Sequence, residues 1–325
     1  MPETSITLQS STPGTTLAGT LSLPDDAHHA VLLLPGSGPQ DRDETLEGQA
    51  PFRVLAQLLA ELGIATLRCD DRGEGESEGD YLAIDGPTLL ADAQCQLDAL
   101  REQVPGVPVS VLGHSQGALF ALRLAAKASV DRVIFLAGAV RPGFEMMMAM
   151  REQLADDVGY DDELRAAFLE HSRLLFEAVV RTEDPIDREH AVRELLAETV
   201  EGATDEDFQP DFENAEEYLD FAVADTMEWE VRELLLSDGC EDLARCVVPV
   251  LGLWGSVDVH LDAEAEREAF DAAAPGGSRS ELLPGLNHLF QQSETGSIDD
   301  YESDGPPMRE PVAELIASWC AGRRA

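Results

Sequence analysis

Gly113-His114-Ser115-Gln116-Gly117 places a serine between an apolar run, Val109 to Leu112, and an Ala/Leu-rich run, Ala118 to Ala126. A serine in a sharp strand-to-helix turn, with glycine two positions away on each side, reads as a nucleophile elbow. Side chains at the flanking positions would collide with the neighbouring helix and strand, and glycine at 113 and 117 removes that clash. The turn opens a helix, so unpaired N–H groups and the positive end of the helix dipole face a bound substrate. A hydroxyl held there, once a base takes its proton, can attack a carbonyl carbon. Gly75-Glu76-Ser77-Glu78-Gly79 has the same spacing but precedes Asp80 and Tyr81 instead of an apolar helix. Its glutamates would repel a developing oxyanion, so it reads as a loop.

An elbow of this kind requires an acid and then a histidine further along the chain. Seven histidines are available: His28, His29, His114, His171, His190, His260 and His288. The first two precede the elbow, His114 reads as pointing along its strand, and His171 and His190 lie in acidic, helical stretches. His288 follows a short apolar strand in Leu283-Pro284-Gly285-Leu286-Asn287-His288, and Asp258 ends the buried run Val248 to Gly255 plus a turn. One strand–helix unit separates them, which puts both at the ends of adjacent parallel strands. His260, two residues from Asp258, reads as too close on the same loop to reach Ser115. The oxyanion donors expected are the N–H of Gln116 and one from Pro35-Gly36-Ser37-Gly38-Pro39 after Val31 to Leu34; Ser37 is the choice, with Gly38 next.

With these parts assembled, the chain resembles the α/β-hydrolase superfamily, and within it the cap-bearing carboxylesterases. The matching stretches are Leu34-Pro35-Gly36-Ser37-Gly38-Pro39-Gln40-Asp41-Arg42-Asp43-Glu44, Asp71-Arg72-Gly73-Glu74-Gly75-Glu76-Ser77, the elbow, Gly255-Ser256-Val257-Asp258 and Leu283 to His288. They cover nearly all of the chain outside residues 141–245, in the family's order. The resemblance implies Ser115 as nucleophile, His288 as general base, Asp258 as its orienting acid, and hydrolysis of an ester or thioester of modest size. Neither a metal nor another cofactor is implied.

The elements that must position these residues follow from hydrophobic periodicity. Residues 4–9 and 16–22 read as an antiparallel pair of strands, and 30–34, 64–69, the run 109–112 before the elbow, 133–136, 248–254 and 280–283 as short, largely apolar strands. Between them, Phe52, Leu55, Leu59 and Leu62 share one helical face, as do Leu89, Ala93, Leu97 and Leu100. A helix around 263–273 and a closing helix bearing Val312, Leu315, Ile316 and Trp319 complete the alternation. Such alternation predicts a mostly parallel sheet covered by helices on both faces, with ligands at the carboxyl ends of the strands. The core is therefore expected in residues 1–140 and 246–325, and an acidic helical cap insertion in 141–245. Met146, Met147, Met148 and Met150 lie in that insertion, where thioethers suit either a pliable pocket wall or simple packing. Arg42 reads as a loop-pinning ion pair more than a substrate clamp. Gly73-Glu74-Gly75 lacks the spacing of a dinucleotide turn.

Composition bounds the remaining possibilities. The 325 residues carry 64 acidic and 22 basic side chains, a net charge of −42, and Lys127 is the single lysine. That acid excess without lysine resembles proteins of salt-accumulating halophiles, whose mutual repulsion is screened in molar salt. It argues against a nucleic-acid partner. No run of about 18 apolar residues exists, so no membrane association is expected. The start of the chain does not read as a signal peptide. Cys69, Cys95, Cys240, Cys246 and Cys320 form no C-x-x-C pair, so reduced thiols in a cytoplasmic enzyme are expected. Carboxylester hydrolysis through an acyl-enzyme is the first reading and acyl-thioester hydrolysis the alternative. Peptide hydrolysis ranks third, and a catalytically silent binding module is the reading from another class. Acyl length and oligomeric state are left open.

Overall fold

The computed structural model describes residues 3–201 and 212–322, and residues 202–211 of the expected insertion lie outside that range. Eight strands form one sheet in the order β1-β2-β4-β3-β5-β6-β7-β8. They are β1 (Glu3–Gln9), β2 (Thr16–Ser22), β3 (His29–Leu34), β4 (Ile64–Cys69), β5 (Val109–His114), β6 (Val133–Leu136), β7 (Val250–Gly255) and β8 (Arg279–Leu283). The pairings of β1 with β2 and of β2 with β4 are antiparallel, and all others are parallel. The apolar sequences of β3 to β7 follow from this arrangement, because every residue of those strands is buried.

Period-two alternation divides those residues between two faces. Val31, Leu33, Leu112, Ile134, Leu136, Leu251 and Leu253 meet α1 (Pro51–Glu61) and α11 (Glu310–Cys320) through Phe52, Leu55, Leu59, Val312 and Ile316. On the other face, Trp254 packs its ring on Phe135 and on Phe270 of α10 (Ala263–Ala273), with ring centroids 5.8 and 5.5 Å apart. Helices α2 (Gly86–Gln103) and α3 (Gln116–Lys127) complete the core alternation. No described helix is long and apolar enough to cross a membrane.

The chain divides into two compact units, one of residues 1–141 and 238–325 and the other of Pro142–Ser237. The second unit holds α4 (Gly143–Val158), α5 (Asp162–Arg181), α6 (Pro185–Thr199), α7 (Ala215–Thr226) and α8 (Trp229–Leu236). It has a core of its own in Phe176, Val179, Val192, Leu219, Val223 and Leu235, and Met147 and Met148 pack against that core. Two of the clustered methionines thus serve internal packing. The unit ends earlier than residue 245, because α9 (Gly239–Arg245) belongs with the sheet. Arg123 of α3 donates from Nε to Asp242 of α9 at 2.7 Å.

The turn after β5 is where the sheet leaves least room. A Cβ on Gly113 would lie 2.0 Å from the Gly117 carbonyl oxygen, and one on Gly117 would lie 2.3 Å from that of Pro35. The first clash is with the helix, and the second is with the end of β3 at Leu34 and the loop that follows it. Gly117→Ala should therefore cost about 3 kcal/mol of unfolding free energy, because backbone on both sides must shift. Gly276 has open space around it, so Gly276→Ala should stay within about 0.5 kcal/mol of the parent protein. Urea unfolding of the two variants in molar KCl checks this, and equal effects would contradict it.

Candidate active site

Ser115 stands between the last residue of β5 and the first of α3 with φ 52° and ψ −122°. For a non-glycine residue this is strained backbone, worth on the order of 1–3 kcal/mol. The Ser115 N–H donates to the Leu136 carbonyl at 2.8 Å, which ties the strained residue to the end of β6. Gln116 is the first residue of α3, so no intrahelical carbonyl precedes its N–H. Ser115 is half-buried and Gln116 buried.

Asp258 and His288 come together from the loops that follow β7 and β8. His288 Nδ1 lies 2.7 Å from Asp258 Oδ2, and the Asp258 side chain is fully buried. Asp258 Oδ1 accepts from the His260 N–H at 2.8 Å. Burial alone would raise the Asp258 carboxyl, but His288 and the His260 N–H outweigh it and hold it below its ordinary value. The pair is thus built as a carboxylate facing a ring N–H, leaving His288 Nε2 as the nitrogen able to exchange a proton.

The loop after β3 runs beside the elbow. A Cβ on Gly36 would lie 3.3 Å from Ser115 Cβ, so the two backbones are in near contact. The Gly36 N–H donates to Glu44 Oε1 at 2.6 Å. Ser37 is exposed, and its carbonyl accepts from Gln40 Nε2 at 2.8 Å. Charge pins the rest of the loop. Arg42 donates from Nε to Asp70 Oδ1 at 2.8 Å and from Nη2 to Glu76 at 2.8 Å, which occupies it structurally. Ser77, in the second serine pentapeptide, donates to the Asp70 carbonyl at 2.9 Å and accepts from the Ala18 N–H. That serine holds a loop together.

Four residues near this cluster escaped the sequence reading. His114 does not merely follow its strand: its ring is buried, with Nδ1 2.8 Å from Glu44 Oε1 and Nε2 2.9 Å from the His288 carbonyl. His260 packs its ring 4.5 Å from that of His288, and its Nε2 lies 3.0 Å from the hydroxyl of buried Tyr301. Burial, helped by the neighbouring His288, brings His260 down to about 4. Burial also pushes the Tyr301 hydroxyl up. Adjacency to Ser115 was the available signal for His114. Glu44 and Tyr301 lie 70 and 41 residues from the histidines they meet, and no local pattern announces either.

Comparison with known proteins agrees with this architecture. Residues 49–195 match the family model described as serine aminopeptidase, S33. The esterase EstD of Thermotoga maritima is 26% identical over 309 residues, covering 93% of this chain and 65% of EstD, so the chain spans less than two thirds of that relative. Monoglyceride lipase of Homo sapiens is 32% identical over 82 residues, 25% of this chain and 27% of the lipase. Among solved structures, the α/β hydrolase GrgF from Penicillium superposes with a TM-score of 0.55 at 18% identity, covering 89% of this chain and 92% of GrgF.

Proposed function

We propose that the chain is an α/β-hydrolase of esterase-like kind and that it cleaves carboxylic esters through an acyl-enzyme on Ser115. The observations that support the reading are the buried Asp258–His288 pair, 2.7 Å apart on the loops after adjacent strands, and a strained serine that opens a helix. In the proposed cycle His288 Nε2 takes the Ser115 proton as Oγ attacks the ester carbonyl. The proton then passes to the departing alkoxide, which leaves as the alcohol. Water adds to the acyl-serine with His288 again as base, releasing the carboxylic acid and restoring Ser115. Asp258 keeps the proton on His288 Nδ1 throughout.

The N–H groups of Gln116 and Ser37 are assigned to the oxyanion. Gly36 has already given its N–H to Glu44, so Ser37 is the next donor along the loop. Esters are preferred to thioesters and peptides because the relative aligned over most of the chain is an esterase. Chain order, with the insert following β6, supports the assignment of the second unit as a cap. Five free thiols support a cytoplasmic setting. The net charge of −42 with one lysine supports adaptation to high salt.

A fluorophosphonate should label the parent protein on Ser115, and Ser115→Ala should abolish both labelling and all but a trace of esterase activity with the fold intact. Ser77→Ala should still be labelled, though with a lower Tm, since two hydrogen bonds are lost. Exchanged outcomes would place the nucleophile elsewhere. Salt gives a separate test. The Debye length is about 30 Å in 0.01 M salt and about 3 Å at 1 M, so dialysis into dilute buffer should cost structure and activity that molar KCl restores. A Tm independent of KCl would end the high-salt reading and leave the hydrolase reading standing.

A further inference from the structure

His114 is the last residue of β5 and touches two acceptors. Its Nδ1 faces the Glu44 carboxylate at 2.8 Å and its Nε2 faces the His288 main-chain carbonyl at 2.9 Å. A neutral imidazole has one N–H and one lone pair, so either tautomer would aim a lone pair at an acceptor inside the protein. With Glu44 ionised, only the doubly protonated ring satisfies both contacts. The ring has no access to water that could relieve a mismatch: its side chain is 3% exposed and that of Glu44 5%. Glu44 itself is held at φ 55°, a strained conformation for a residue with a side chain. Its Oε1 accepts from Gly36 as well as from His114.

We propose that Glu44 and His114 form a buried carboxylate–imidazolium clamp that fixes the oxyanion loop and the His288 loop relative to each other. Both are then positioning residues for the hydrolysis proposed above, on which this assignment rests. One oxygen of Glu44 holds the N–H immediately before Ser37, and the opposite edge of the His114 ring holds the backbone of the general base. Charge-assisted hydrogen bonds are shorter and roughly twice as strong as neutral ones, which suits a link between two loops that must not drift. A misplacement of about 1 Å at a reacting group costs on the order of a hundredfold in rate.

The ionisable groups around the ring agree. Burial draws the His114 imidazole down, but Glu44, the His288 carbonyl and Asp258 outweigh it, and the net direction is upward. His288 and His260 are the other titratable neighbours, and His260 stays neutral at about 4. A raised value means that the clamp is complete at and below the ordinary imidazole range and is lost as pH rises through the raised value.

Nitrogen NMR of protein labelled in its histidines tests the clamp directly, with Glu44→Gln and His114→Asn to assign the ring. In the parent protein both His114 ring nitrogens should read as protonated at about pH 8, above the ordinary imidazole range. In Glu44→Gln one of them should read as unprotonated. That variant should also lose about ten- to a hundredfold in kcat per fluorophosphonate-titrated site, with KM within about twofold. An unprotonated His114 nitrogen in the parent protein would overturn the clamp, whether or not any variant folds. So would a Glu44→Gln enzyme with a lower Tm but an unchanged kcat per titrated site. Failure of the parent protein to label at Ser115 would instead overturn the hydrolase reading, which the nitrogen spectrum does not touch.

Discussion

The turn at Ser115 works only because three stretches of backbone approach one another almost to contact. Gly113 abuts the Gly117 carbonyl, Gly117 abuts the carbonyls of Leu34 and Pro35, and Gly36 abuts the Ser115 side chain. Each glycine removes the atom that would hold the strands of this knot apart. The resulting closeness brings the loop after β3 against the Ser115 side chain at the start of α3. Strain at φ 52° on Ser115 is tolerated because the parallel pairing of Leu34 with Gly113 and of His114 with Leu136 fixes the chain on both sides.

Around that knot the loops are held by charge, and arginine supplies most of it. Arg72 reaches Asp92 through both Nε and Nη2, at 2.5 and 2.9 Å, and Arg68 joins Asp43 to Glu3 beneath the loop that carries Glu44. A flat guanidinium offers a fork of donors that a lysine ammonium does not, so these places require arginine whatever the surface chemistry. The buried two-armed pairs account for arginine at these positions. Buried pairs add little net stability over well-packed apolar groups. Here they hold one arrangement of the loop that follows β3.

Much of this was legible before any coordinates. Strands buried along their whole length are rich in apolar residues, so β3, β4 and β6 fell within a residue of the runs Ala30–Leu34, Ile64–Cys69 and Val133–Leu136, while β5 continues two residues past the run Val109–Leu112. The Asp258–His288 pairing could be anticipated because adjacent parallel strands deliver their following loops to one edge. Contacts that depend on loop conformation were not legible. Glu44 reaches His114 across 70 residues through a left-handed backbone, and an acidic residue after Asp41-Arg42-Asp43 looks like one more surface charge. His260 was set aside for its nearness to Asp258. That same nearness lets its N–H bind Asp258 while its ring packs at a tilt against His288. The inserted unit's early end at Ser237 depended on whether α9 packs on α3, which helical periodicity does not reveal.

The central claim is that covalent chemistry occurs on Ser115. It is tested most directly by trapping the intermediate with p-nitrophenyl trimethylacetate, whose hindered acyl group makes water slow to attack. Acid quenching, digestion and mass spectrometry should find the trimethylacetyl group on the peptide that carries Ser115, in proportion to the p-nitrophenol burst. A burst with the acyl group on another residue, the Ser77 peptide included, or steady turnover with no acylated peptide, would contradict the account.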